Sequence, residues 1–266
     1  MNILYVGDVM GEAGIRTVER VLPGVCRQYA VDVVVAQAEN VTDGKGISPA
    51  DYQRLQRAGV DAFTGGNWTL QRPEIIPVLS NPQQPIVRPA NYPEDTPGLG
   101  YKYLEKNGQK VLVISLLGQI VGRDADKPVD NPLLVIDEIL AREKAVKRSA
   151  TVVNLHGDFS SEKVVMGHYL DGRVTVVVGD HWHVPTADAR VLPGGTAHQT
   201  DVGMCGVLNA SLGVTYESII PRWRDQLQTR NVLADEPPYQ FNALLVRSND
   251  AGLADSTEFI QKILDD

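Results

Sequence analysis

Cysteine is scarce in this chain of 266 residues: there are two, Cys26 and Cys205. They form neither a CxxC pair nor a zinc-ribbon spacing, which excludes a disulfide framework and a thiolate zinc site and leaves two free thiols in a reducing compartment. Positive charge is also short. Lys and Arg number 25 against 33 Asp and Glu, a net charge of −8. That excludes a global basic field for long nucleic acid. A small anionic substrate stays compatible, because bound cations would supply positive charge locally. No apolar run reaches membrane-spanning length, and no basic segment with a cleavage site precedes the first hydrophobic run. The expectation is a cytoplasmic protein that does not act at a membrane. Internal repeats, low-complexity stretches and an obvious linker are missing too. Residues 1–266 therefore read as a single α/β domain, long enough to bury a core without disulfides.

What is present is a succession of β and α signals. Met1–Val6 is a β-rich run closed by Gly7-Asp8, and a helix is expected from Gly14 to Tyr29, bent at Pro23-Gly24. Val31–Ala38 is nearly all apolar, as in a strand buried on both faces. Ser48 caps a helix with Pro49 in its first turn, and Gly59 stops it. Val60–Thr64 is the next strand, so Asp8, Glu39 and Asn67 follow successive βα units. Asn107-Gly108 joins two strands in a hairpin. Asp130–Val146 and Ser160–Leu170 read as helices. Thr151–Leu155, Val174–Val178, Thr196–Thr200 and Phe241–Arg247 read as strands, while Thr257–Leu264 shows no decisive period. The sum is a mixed sheet, or two stacked sheets, with helices outside.

Polar residues sit at the ends of these strands, where loops of an open α/β sheet converge on one crevice. Asp8 follows a glycine; alone, it suits a helix N-cap better than a ligand. Glu39-Asn40 closes an apolar run, where an ionised glutamate needs a partner. A carboxylate can bridge two cations and an asparagine oxygen is a neutral hard ligand; the plainer alternative is a polar pair bonding the backbone of Gly44–Gly46. Gly65-Gly66-Asn67 repeats the arrangement, or is a simple glycine turn. His181-Trp182-His183, taken as extended, would project both imidazoles to one side, with Asp180 available to orient a ring. His156 supplies a third imidazole. His168 and His198 read as structural or surface histidines. Asp8, Glu39, Asn40, Asn67, His156, His181 and His183 together form a ligand set for a two-metal hydrolase, with iron, manganese or zinc favoured by the mix of imidazole and carboxylate.

This order of residues resembles the calcineurin-like metallophosphoesterase superfamily, and more narrowly its bacterial 2′,3′-cyclic-nucleotide phosphodiesterase branch. The resemblance covers most of the chain. It includes Gly7–Gly11, Ala38-Glu39-Asn40 with Gly44-Lys45-Gly46, Arg88–Asn91 with Thr96-Pro97-Gly98, Ser161-Glu162-Lys163, Tyr169–Arg173, His183–Asp188 and Thr200–Met204. It implies an α/β/β/α sandwich of two mixed sheets with outer helices. It implies Asp8, Asn40 and His183 on one metal, Asn67, His156 and His181 on the other, and Glu39 between them. Iron or manganese would be the expected cation and a homo-oligomer the expected assembly. The implied reaction is attack on phosphorus by a hydroxide held between the two cations.

The chain also departs from that pattern. Met10 replaces the histidine of the superfamily's Asp-x-His opening. Gly157-Asp158 stands for Ala-Glu, and Trp182 for the usual threonine. The family continues Gly-Asn with a histidine that protonates the leaving oxygen, whereas this chain has Trp68, whose indole N–H is not a useful acid near neutral pH. Metal-held water, His168 or Asp158 are candidate substitutes. Two functions follow: a phosphodiesterase of small, activated or cyclic phosphate esters, or a regulatory protein that binds a phosphate or nucleotide on its metals without turnover, with Trp68 and Trp182 stacking a base. A scaffold without metal is the remaining alternative.

Overall fold

A computed structural model describes residues 1–122 and 125–266. The first half runs β1 (Asn2–Val6), β2 (Asp8–Val9), α1 (Gly11–Tyr29), β3 (Val33–Gln37), α2 (Pro49–Ala58), β4 (Ala62–Thr64), α3 (Ile76–Ser80), β5 (Tyr101–Lys106) and β6 (Gln109–Leu117). The second half runs α4 (Pro132–Arg142), β7 (Ala150–His156), α5 (Ser160–Tyr169), β8 (Val176–Asp180), β9 (Arg190–Val191), β10 (Ala197–Gln199), β11 (Met204–Val207), α6 (Tyr216–Asp225), β12 (Tyr239–Ser248) and β13 (Ala254–Leu264).

Two mixed sheets result. One has the order β2-β11-β12-β1-β3-β4, with β13 pairing β12, and the other β5-β6-β7-β8-β10-β9. Strands β1, β3 and β4 are parallel in the first sheet, as are β6, β7, β8 and β10 in the second. The alternation of side chains along each strand builds three apolar layers. Leu4 and Val6 of β1 face α1 and α2, packing with Ile15, Val18, Leu22 and Leu55. Ile3 and Tyr5, from the other face of β1, meet Val111, Val113, Val152 and Val176 of the second sheet. Leu112, Ile114, Val153 and Leu155 turn outward onto Ile136, Ile139 and Met166 of α4 and α5. Helix, sheet, sheet and helix are thus stacked in that order, the two-sheet sandwich of the resemblance.

Some local expectations need correction. Helix α1 begins at Gly11, three residues early, and continues through Pro23. Asp8 does not cap it, since the N-cap is Met10, without a side-chain bond. The helix expected over Asp130–Val146 is trimmed to Pro132–Arg142, where the Asn131 side chain accepts from the Leu133 N–H. The undecided Thr257–Leu264 segment is strand, part of β13 paired along β12. Strand β11 and helix α6 had no counterpart in the sequence reading. Among the described residues no helix is long and apolar enough to cross a membrane.

Candidate metal centre

The parallel strands of both sheets end on the same rim, and the residues just beyond them meet. Gly7 lets β1 turn into β2: a Cβ there would lie 2.1 Å from the Gly203 carbonyl oxygen, which accepts the Asp8 N–H at 2.9 Å. Gly66 clears the centre itself, since a Cβ would come within 2.3 Å of Glu39 Oε2 and 2.4 Å of the His156 ring. Real Cβ contacts do not reach such distances, so this cradle exists because position 66 has no side chain.

One group of ligand atoms comprises Glu39, His156 and His181, all within 4.8 Å of one another. Nε2 of His156 lies 2.9 Å from Asn67 Oδ1 and 3.0 Å from Glu39 Oε1. The latter contact lacks hydrogen-bond alignment, and Glu39 Oε1 is buried without a partner. The His181 ring stands 4.5 Å from that of His156. The second group forms around His183. Its Nδ1–H donates to the Leu212 carbonyl at 3.1 Å, so Nε2 presents a lone pair. That lone pair faces Asn40 Oδ1 at 3.4 Å and Asp8 Oδ1 at 3.9 Å; Asp8 Oδ1 is also buried and unpartnered. Two buried carboxylate oxygens without a hydrogen bond, and a lone pair facing the one on Asp8, are what a cation would satisfy.

The histidine loop is not the extended segment expected. His181 and His183 have φ of 100° and 62°, in the left-handed region that side chains seldom adopt. Tertiary anchors hold it: the His181 N–H donates to Asp8 Oδ2 at 3.1 Å and the Trp182 N–H to Asp201 Oδ2 at 3.0 Å. The two imidazoles consequently serve different groups. Asn40 donates from Nδ2 to the Gly44 carbonyl at 2.9 Å, the backbone bond weighed for it, and its oxygen faces His183 at 3.4 Å.

A second ring of buried groups surrounds these. Asp180 Oδ1 accepts from His156 Nδ1 at 2.5 Å, and its Oδ2 accepts from Asn154 at 2.5 Å and from Tyr5 at 2.9 Å. The Lys163 ammonium, 1% exposed, donates to the Asp180 carbonyl at 2.6 Å and to Asp201 at 2.9 Å. It lies 4.1 Å from the centre of the Trp182 ring, whose indole N–H donates to the Asp158 carbonyl at 3.1 Å. One face of Trp182 is thereby covered. Trp68 donates its backbone N–H to Glu39 Oε2 at 2.9 Å, and its ring carries the Lys45 ammonium at 4.3 Å. Among the proposed substitute acids, Asp158 Oδ1 lies 3.4 Å from His181 Nε2, whereas His168 is exposed on α5. His198 is buried in β10 and bonded to Val177, a structural histidine.

Electrostatics mark the centre as short of positive charge. Among the described residues, Asp8, Glu39, Asp180 and Asp201 are buried around a single buried ammonium, Lys163. Burial, then the Asp180 and Glu39 carboxylates, push Asp8 well above the usual carboxylate range. Burial works against protonating His156, but Glu39 and Asp180 outweigh it and raise the ring well above an ordinary imidazole. Protons thus take the place of cations. His181 moves the other way, down to about 4, through burial and then the charge of His156. Burial also lowers His183, keeping both rings neutral and able to ligate.

Sequence reasoning brought forward the seven polar residues that converge here. It did not assign Lys163, Asp201, Tyr5 or Asn154 a part. A lysine on the inward face of α5 and the Thr200-Asp201-Val202-Gly203 run are the signals that could have found the first two.

Comparison with known proteins identifies the fold and the family. The chain is 40% identical over 236 residues to a 2′,3′-cyclic-nucleotide 2′-phosphodiesterase of Bacillus subtilis, covering 88% of this chain and 87% of that one. A crystal structure described as a novel phosphatase of Mycoplasma pneumoniae superposes with a TM-score of 0.91 at 30% identity, covering 100% of this chain and 94% of the other. A putative 5′-nucleotidase of Staphylococcus aureus, 16% identical with a TM-score of 0.61, shares the fold over all of this chain and 55% of its own. With a match to the family's sequence pattern over residues 4–260, the chain belongs to the YmdB-like protein family.

Proposed function

We propose that this protein is a phosphoric ester hydrolase, a two-metal phosphodiesterase whose substrates are small esters such as 2′,3′-cyclic nucleotides. The observation that carries the reading is the paired set of ligand atoms with orphaned, buried oxygens on Asp8 and Glu39. Asp8, Asn40 and His183 would hold one cation, Asn67, His156 and His181 the other, and Glu39 would lie between them. Iron or manganese suits the donors best, with zinc as the third candidate. When bound, the pair supplies an activated water and offsets the charge that develops on phosphorus.

The chain's own groups do the rest. Asp180 holds the His156 ring in one orientation, and Leu212 fixes the tautomer of His183. Trp68 occupies the place of the family's proton donor, beside Glu39 and under Lys45. Its indole cannot protonate a departing alkoxide, and losing a general acid costs on the order of 10²–10⁴-fold in rate. A strained cyclic ester or a stable leaving group tolerates that loss, which favours activated substrates over simple alkyl diesters.

The test is metal analysis of protein purified without chelator, followed by turnover of bis-p-nitrophenyl phosphate and a 2′,3′-cyclic nucleotide with added manganese. Stoichiometric transition metal and turnover of both support the reading. Metal without turnover would mean a phosphate- or nucleotide-binding protein, and absence of bound metal would overturn both.

A further inference from the structure

A cavity of about 250 Å³ opens beside the metal centre and shares Asn67 with it as a wall. Its other lining residues are Leu70, Gln71, Tyr92, Pro93, Thr96, Lys127 and Pro128. Three larger cavities, of about 610, 420 and 400 Å³, take no wall from the metal-ligand set. We propose that the Asn67 cavity is a subsite for the nucleobase of the substrate; this rests on the phosphodiesterase reading above.

Three features carry the assignment. The first is continuity, since the side-chain oxygen of Asn67 lies 2.9 Å from His156 Nε2. A phosphoryl group at the centre and a ring in the cavity would therefore lie on either side of one residue. The second is size. The volume falls below the roughly 300–1,000 Å³ of sites that enclose a drug-sized ligand, so it takes one ring system and not a whole nucleotide. The third is chemistry. Leu70, Tyr92 and two proline rings offer apolar surface for a planar heteroaromatic face, which stacks without regard to sequence. Gln71 presents both a donor and an acceptor, and Thr96 a hydroxyl, the groups that read a base edge.

The walls are pre-formed, so little ordering is required on binding. Tyr92 is buried and its hydroxyl donates to the Gly66 carbonyl at 3.4 Å. The turn bearing Pro93 and Thr96 is closed by the Thr96 N–H on the Pro93 carbonyl at 3.0 Å. It is tied down by buried Arg88, which donates to the Thr96 carbonyl at 3.2 Å. Lys127 reaches across to the Asn67 backbone carbonyl at 3.4 Å, bringing a positive charge to the border between cavity and centre.

The experiment uses the manganese-loaded full chain and two variants outside the metal centre, Leu70→Trp to fill the cavity and Gln71→Ala to remove the edge contact. Steady-state kinetics with 2′,3′-cyclic AMP are compared with those for bis-p-nitrophenyl phosphate, which has no base. The expected result is a KM for the cyclic nucleotide raised about tenfold or more in Leu70→Trp and severalfold in Gln71→Ala, with kcat/KM for the base-less ester within twofold of the parent. Equal losses on both substrates, or no change on either, would overturn the subsite. Binding of adenosine, observed by saturation-transfer NMR, reads the cavity independently of chemistry. Adenosine signals present with the parent and lost with Leu70→Trp support the subsite even if no ester is turned over, an outcome that removes only the hydrolase reading. Adenosine signals unchanged in Leu70→Trp would reject the cavity while leaving the hydrolase reading intact.

Discussion

Nδ1 of His156 lies 2.5 Å from Oδ1 of Asp180, and both side chains are fully buried. With Tyr5 and Asn154 on its other oxygen, Asp180 has no freedom to turn away. A carboxylate in this place fixes the ring orientation of a ligating histidine and raises its basicity. Asp180→Asn keeps an acceptor but removes the charge. It is expected to weaken binding of the metal proposed for His156 by about 10–100-fold, measured by titration calorimetry with manganese or zinc. Unchanged affinity would show that the contact is structural only.

Lys163 leads to a stability prediction. Its ammonium is buried among the carboxylates around the centre, and it holds both Asp201 and the carbonyl of Asp180. Removing one member of such a pair strands the other, at a cost of about 3–5 kcal/mol. Lys163→Met should therefore destabilise the chain by that order in urea unfolding. Adding Asp201→Asn should recover part of the loss, because the carboxylate that Lys163 paired is then neutral. If the double variant is less stable than the single, charge pairing is not what Lys163 provides.

The sequence revealed which residues meet but not how the chain brings them together. Asp8, Glu39, Asn67 and His156 were legible because each follows an apolar run that forms a parallel strand, and parallel strands end at a common rim. The alternating helical and strand periods left one mixed sheet or two stacked sheets open, and only the family resemblance implied the layer order. The conformation of His181-Trp182-His183 was not. Its left-handed φ values are imposed by Asp8, Asp201 and Leu212, partners that are distant or unremarkable in sequence. Helix α6 carries Pro221 in its interior, which reads as a breaker. Strand β11 is only Met204–Val207, too short for a period. Lys163 was read as a motif residue because nothing local says that an ammonium is buried.

The pH response of stability should differ between the metal-free and loaded protein. Asp8 and His156 are raised above their ordinary values. Their contributions to the metal-free fold are present at low pH and lost as pH rises through the raised values. His181, lowered to about 4, has the opposite sign, contributing above an ordinary imidazole's range and losing that contribution as pH falls toward 4. Above an ordinary imidazole's range the His181 contribution is constant while that of the raised His156 is being lost, so the metal-free melting temperature should fall as pH rises above neutral. Metal binding requires the deprotonated ligands, so the gap in Tm between manganese-loaded and metal-free protein should widen over that window. A constant or narrowing gap in differential scanning calorimetry would contradict the protonated picture of the metal-free centre.

Gly66 offers a steric test. An added methyl would meet Glu39 Oε2 at 2.3 Å and the His156 ring at 2.4 Å, so one of these two proposed ligands must move. Gly66→Ala should keep the far-ultraviolet circular dichroism of the parent, because position 66 lies in a turn outside the strands. It should nevertheless lose stoichiometric metal in atomic-absorption analysis. Retention of a full complement would place the cations elsewhere.

Trp68→His addresses the proton donor. The indole ring now supports the Lys45 ammonium at 4.3 Å, a contact worth about 0.5–1 kcal/mol at an exposed site, so its loss should not endanger the fold. A histidine there would restore an acid whose ordinary pKa suits proton transfer near neutral pH. Hydrolysis of diesters with alkoxide leaving groups should rise by about 10² or more. p-Nitrophenyl esters, whose leaving group needs no proton, should change little. The slope of log kcat against leaving-group pKa should therefore become shallower in the variant. A parallel shift of all esters would mean that another group already delivers the proton in the parent, and Asp158, 3.4 Å from His181, is then the residue to replace next.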